Sequence, residues 1–133
     1  MNVFDALTPK MMTIYLDPKT TIRQALEKFD IYKFSCVPIV DERGNYVTTV
    51  SEGDILRYIK NKANFNIKDA ESVLVVDIEH YREYKALSQT GTNDEIYNLI
   101  LSQNFIPILD DRGKYIGIVK RKDVLKYYKN NKS

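Results

Sequence analysis

The sequence predicts an α/β (α+β) fold of two pseudo-symmetric units, each a small sheet packed with helices, forming one compact module. The first observation behind this is a duplication. Cys36 to Lys60, CVPIVDERGNYVTTVSEGDILRYIK, lies over Phe105 to Tyr128, FIPILDDRGKYIGIVKRKDVLKYY, without a gap, at a constant spacing of 69 residues. The second is the pattern inside each copy: an apolar run, a tight turn, a second apolar run, then an amphipathic helix. The third is composition, since 133 residues with 44% hydrophobic and 29% charged side chains match an ordinary globular chain. A chain of that size buries roughly two-thirds of its unfolded surface.

Taken in order, the opening MNVFDALTPK has neither a basic leader nor a long apolar run, and no apolar stretch in the chain is long enough for a membrane span. The expectation is a cytoplasmic protein without membrane insertion. Asp17 to Ile31 starts with a proline turn and then spaces Ile22, Ala25, Leu26 and Phe29 at helical intervals, which predicts a helix. VPIV reads as a buried strand, DERGN as a turn whose Gly44 can take positive φ, and YVTTV as the returning strand. Ser51 with Asp54 three residues later resembles an N-cap followed by a first-turn acid, and Ile55, Leu56 and Ile59 form the helix's apolar stripe. Residues 64–85 read as a connector with one strand-like run, Val73 to Val76, and QTGTND as a loop before a short helix over Glu95 to Leu101. IPIL, DDRGK and YIGIV repeat the hairpin, and Val124, Leu125 and Tyr128 repeat the helical stripe. Lys120 has no acceptor and cannot cap as Ser51 does. The expected domains are 1–62, opening segment included, and 63–133, whose first half is irregular and whose last helix is basic. Either unit alone exposes an apolar face that packing of the pair buries.

Several function classes are disfavoured. A net charge of +2 from 20 basic and 18 acidic residues is too balanced for a dedicated nucleic-acid binder, although KRKDVLKYYKNNK gathers cations at the end. One cysteine and one histidine remove an internal disulfide and the usual zinc arrangements. Cys36 reads as a small buried hydrophobe or a reactive thiol, and His80 as a polar linker residue. No Ser/His/Asp set, metal cluster or phosphate-transfer loop is visible, so neither catalytic nor metal-binding residues are expected. The ten tyrosines, Tyr32, Tyr58, Tyr81, Tyr84, Tyr127 and Tyr128 among them, serve a dimer face, cover a base or fill amphipathic surface.

LTPKMMTIYLDPKTTIRQAL, VPIVDERGNYV, IPILDDRGKYIGIV, SEGDIL and KRKDVL together resemble a tandem pair of cystathionine beta-synthase (CBS) domains, a Bateman module, from Phe4 to Tyr128. The resemblance implies a regulatory sensor without chemistry of its own, clefts between paired sheets, and commonly a homodimer acting on a regulated partner that remains unidentified. It implies AMP, ADP or ATP as ligand, with S-adenosylmethionine or cyclic di-AMP as alternatives, and no catalytic cofactor. By position, the adenine-facing residues are Ile14, Phe34, Ser35 and Cys36 in the first copy and Gln103, Asn104 and Phe105 in the second. Ser51 falls on the phosphate position, and Asp54 and Asp123 on the ribose position. Thr48 departs from the pattern where the second copy keeps Gly117, and a side chain there narrows the first cleft.

The charge chemistry separates the copies further. A first-turn carboxylate either stabilises the positive helix end, worth ~0.3–1 kcal/mol, or accepts paired bonds from sugar hydroxyls. Three cations at a helix start, Lys120, Arg121 and Lys122, oppose the helix dipole and repel one another, which makes sense if an anion binds there. The expectation is an adenine nucleotide in the second cleft, ribose on Asp123 and phosphates on Lys120 with Arg121 or Lys122. Glu52 beside Ser51 repels polyphosphate, so the first cleft is expected to be weaker, empty or selective for less charged ligands. The rival reading is a structural or protein-interaction module with degenerate nucleotide sites.

Overall fold

The computed structural model describes residues 1–81 and 83–131. In chain order the elements are β1 (Leu7–Pro9), α1 (Ile22–Tyr32), β2 (Cys36–Val40), β3 (Tyr46–Ser51), α2 (Glu52–Asn61), α3 (Ile67–Ser72), β4 (Leu87–Ser88), α4 (Asn93–Ile100), β5 (Phe105–Leu109), β6 (Tyr115–Lys120) and α5 (Arg121–Asn130). They fall into two packing units, one of Met1–Ile14, Arg43–Tyr46 and Tyr84–Ser133, the other of Tyr15–Glu42 and Val47–Glu83. Packing units and sequence repeats therefore differ. The opening segment, grouped by sequence with residues 1–62, pairs with β6 of the second repeat.

In the first of these units the sheet order is β1-β6-β5-β4. β5 is continuously apolar and almost wholly buried, as a central strand should be, whereas β6 alternates between buried and half-buried positions. Val3, Leu87, Ile96, Ile100, Ile106, Ile108, Val119 and Val124 form the core beneath. β1 reaches β6 because of Gly117, which takes φ 148° and faces Pro9 in the register. A Cβ at this position would lie 2.1 Å from the Thr8 carbonyl oxygen. Only glycine permits that approach.

The other unit carries a two-stranded sheet, β2-β3, extended by a parallel bridge between Leu16 and Ile39. Its core holds Leu16, Ile22, Ala25, Phe29, Val37, Ile39, Val50, Ile55 and Val75. Thr48 occupies the repeat position of Gly117, and among the described residues no strand lies along that side of β3. Instead the Thr48 hydroxyl meets His80 Nδ1 at 3.2 Å, while His80 Nε2 lies 3.1 Å from the Val75 carbonyl. Since a carbonyl only accepts, Nε2 carries the proton and Nδ1 accepts from Thr48. His80 is thus a bridge that the sequence did not reveal.

The start of α2 follows the sequence reading, with Ser51 and Asp54 as a reciprocal cap. α1 and α4 begin with caps of the same kind, Thr21 with Gln24 and Thr92 with Glu95, and α4 starts at Asn93, inside the stretch read as a loop. The connector holds a helix not anticipated, α3, capped by Asn66 and Asp69. Its apolar run forms a bridge, Leu74 to Thr21, and a single 3-10 turn over Val75–Asp77 in place of a strand. The Val75 N–H donates to the Thr20 carbonyl and the Asp77 N–H to the Leu74 carbonyl, each at 3.0 Å, so the backbone bonds of the run close a turn.

Candidate functional site

Asp54 and Asp123 occupy the same position in the two repeats and differ in every physical respect. Asp54 is 2% exposed. Its Oδ2 accepts from the Ser51 N–H at 2.9 Å and its Oδ1 from the Tyr81 N–H at 3.0 Å, so both oxygens are engaged. Asp123 is half-buried and has no hydrogen bond or ion pair among the described residues. Its helix starts at Lys120, which makes no side-chain cap. With Asp5, Leu7, Thr8, Lys126 and Asn130, Asp123 lines a cavity of about 380 Å³.

The three cations before Asp123 do not act as a set. Arg121 donates from Nε to the Ile100 carbonyl at 2.9 Å and from Nη2 to the Gln103 carbonyl at 3.1 Å. It therefore satisfies the Ile100 carbonyl, at the end of α4, and the Gln103 carbonyl in the loop beyond it. Two of the five Arg121 N–H donors are thereby engaged by backbone carbonyls, beside Lys120, half-buried, and Lys122, exposed, at the start of α5. The first repeat has Glu52 at the Arg121 position, which cannot donate, and α1 ends instead on Lys33 at φ 56°, whose N–H caps Phe29.

The adenine-facing candidates divide. Gln103 is buried and its amide is fully committed: Oε1 accepts from the Lys85 N–H at 2.8 Å, and Nε2 donates to the Lys85 and Phe105 carbonyls, each at 3.0 Å. Phe105 is buried against Tyr84, ring centroids 5.1 Å apart. Asn104 is exposed, and its carbonyl accepts from the Arg121 N–H. In the other unit Phe34 stacks on Tyr32 and packs edge-on against Phe29. Phe34 and Ser35 line a groove of about 810 Å³ between α1 and α2, with Leu26, Ile55, Leu56 and Ile59, and neither Ser51 nor Asp54 borders it. Cys36 is half-buried at the start of β2, and Ile14 is half-buried in the unit that also contains Asp123. Ser51 Oγ accepts from the Asp54 N–H at 3.1 Å, a capping bond.

Sequence reasoning missed the surroundings of Asp54. Besides the Tyr81 N–H, the Arg57 guanidinium lies 4.6 Å from the Tyr81 ring centroid, and Asn61 Nδ2 donates to the Tyr81 hydroxyl at 3.3 Å. Arg57 and Asn61 stand at the repeat positions of Lys126 and Asn130. The cavity beside them, lined by Tyr58, Asn61, Lys62, Glu79 and Tyr81, is about 230 Å³. Lys62 is held above its ordinary pKa, first by its hydrogen bond with Tyr58 and then by Asp69. Among the described residues no group of three or more His, Cys, Asp or Glu side chains is arranged to hold a metal ion, and no helix is long and apolar enough to cross a membrane.

Comparison with known proteins gives a consistent answer. The CBS domain matches the chain twice, over residues 4–61 and 73–130. An uncharacterized protein of Methanocaldococcus jannaschii, MJ1225, is 26% identical over 132 residues, which is 91% of this chain and 46% of that protein. The chain thus spans about half the length of that relative. Among solved structures, CbpB of Listeria monocytogenes in complex with c-di-AMP superposes with a TM-score of 0.84 at 19% identity, covering 96% of this chain and 95% of that one. CBSX2 in complex with AMP superposes with a TM-score of 0.77 at 24% identity, covering 99% and 98%. At these identities the structural likeness establishes the fold.

Proposed function

The chain belongs to the CBS domain family, as a tandem pair that is regulatory and not catalytic, and from that premise we propose that it senses an adenosine nucleotide at the start of α5, cyclic di-AMP foremost. The observation that carries this reading is the Asp123 carboxylate, half-buried and unengaged among the described residues, three residues after Lys120 and next to Lys122. A free carboxylate takes ribose hydroxyls, and backbone N–H groups at a helix start with nearby lysines attract phosphate. With two Arg121 donors engaged by backbone carbonyls, the cations at this helix start suit a ligand of about two negative charges better than a triphosphate. CbpB, bound to c-di-AMP, supports that choice by its fold.

AMP is the second reading. Neither Asp123 oxygen is engaged among the described residues, which fits the paired hydroxyls of a mononucleotide, and CBSX2 was solved with AMP. Calorimetry and thermal shift with cyclic di-AMP, AMP, ATP and S-adenosylmethionine discriminate the readings. At about 100 times Kd, the bound ligand should stabilise the fold by about 2.7 kcal/mol. If no adenosine ligand raises the melting temperature, the chain is an interaction module instead.

The signal would reach a partner through a homodimer. Leu56 and Leu125 occupy the same repeat position and are 66% and 60% exposed, each on a helix whose opposite side is buried. Such unburied leucines suit a second copy. A monomer by sedimentation at micromolar concentration would overturn this part of the reading.

A further inference from the structure

The Asp54 site is closed by the chain itself. Val75–Asp77 and Val3–Asp5 are matching 3-10 turns, each with its valine fully buried, and the backbone then runs through His80–Tyr81 in one case and Thr8–Pro9 in the other. Tyr81 therefore stands where the other unit has Pro9. Proline has no N–H. The group that engages Asp54 Oδ1 is absent by chemistry at the Pro9 position, and Asp123 is left unengaged among the described residues. Tyr81 is held by the Arg57 guanidinium on its ring and by Asn61 on its hydroxyl, yet its side is 43% exposed. It is fixed at the surface and not locked in the core.

We infer that Tyr81 is an internal occupant of the first repeat's carboxylate site and the residue that limits the protein to one nucleotide per chain. The inference rests on Asp123 being the ligand contact in the second repeat. Release of Tyr81 frees one oxygen of Asp54 for a sugar hydroxyl. Glu52, exposed beside the Ser51 cap, disfavours phosphate there, so the opened site takes adenosine or another weakly charged nucleoside. His80, fixed to Thr48 and Val75, holds the segment before Tyr81 in place, so release means a turn of the backbone at Tyr81 that withdraws its N–H from Asp54.

The test is titration calorimetry on the full chain with cyclic di-AMP, AMP and adenosine, for wild type, Tyr81→Phe and Tyr81→Pro. Wild type and Tyr81→Phe, which keep the N–H and the ring, should show a single site per chain for cyclic di-AMP or AMP. Tyr81→Pro, which copies Pro9, should gain one adenosine site that Asp54→Ala removes. Two sites in wild type, or no added site in a Tyr81→Pro variant that still melts cooperatively, would overturn the inference. If Tyr81→Pro does not fold, hydrogen exchange of the wild-type Tyr81 amide decides: protection of at least about tenfold over a free loop is expected, and exchange at the free-loop rate overturns it. Absence of binding of both cyclic di-AMP and AMP in wild type counts against the function proposed for Asp123. The Tyr81 inference still stands or falls on whether Tyr81→Pro gains an Asp54-dependent site.

Discussion

Asp54 and Asp123 are the same residue at the same place in a duplicated sequence, yet one is a buried structural group and the other a half-buried carboxylate without a hydrogen bond among the described residues. The difference arises outside the copied stretch. A tyrosine N–H reaches Asp54, while the corresponding position in the other unit is Pro9, which has no N–H to give. Duplicated side chains therefore keep duplicated roles only where their neighbours are duplicated too.

The largest break in this comparison is expected from Gly117→Ala, because the added methyl meets the Thr8 carbonyl and the residue must keep φ 148°. Loss of β1 should lower stability by about 3–5 kcal/mol in chemical denaturation. Thr48→Gly in the other repeat removes only one shared hydrogen bond, so about 1 kcal/mol is expected. Equal costs would show that β1 does not depend on Gly117.

Next come the two aspartates. Asp54→Ala leaves the Ser51 and Tyr81 N–H groups without their acceptor and should cost about 2–3 kcal/mol of stability, with the second repeat's ligand affinity unchanged. Asp123→Ala should lose at least about tenfold in affinity by calorimetry while stability stays within about 0.5 kcal/mol. A destabilised Asp123→Ala with undiminished binding would reverse the assignment of roles.

Arg121→Ala removes donors from two carbonyls and should cost about 1–2 kcal/mol, against less than about 0.5 for Glu52→Ala at the matching position. If Arg121 instead binds the nucleotide, its loss appears in ligand affinity and not in the melting curve.

The smallest effect is on acid stability. Asp110 is held below the ordinary carboxylate range chiefly by the Lys114 N–H and then the Arg112 N–H, and Asp69 by the Asn66 N–H. A depressed folded pKa contributes stability above the ordinary value near 4, and that contribution is lost as pH falls through the depressed value. Asp110→Asn and Asp69→Asn should each flatten the loss of stability below about pH 4. An unchanged acid limb in both would show that these turns do not contribute there.

Much of this molecule was legible from local spacing. The start of α2 was written as Ser51 with Asp54, because a cap needs an acceptor and its partner three residues apart, and the same spacing in Thr21 with Gln24 and Thr92 with Glu95 went unread. The hairpins were written as apolar runs around Gly44 and Gly113, both at positive φ. α3 was obscured by a polar connector too short to show helical periodicity. The cation cluster was legible as charge but not as direction, since nothing local says that Arg121 turns back to Ile100.

The sequence by itself determined the duplication, the strand–turn–strand–helix order of each copy, and a carboxylate in the first turn of α2 and α5. Those features depend on residues within a few positions of one another. Only the tertiary structure decided that β1 pairs with β6, that Arg121 caps α4 and that Tyr81 closes Asp54. Each of these depends on which distant backbone group fits against the site, and a pairing of that kind leaves no period in the chain.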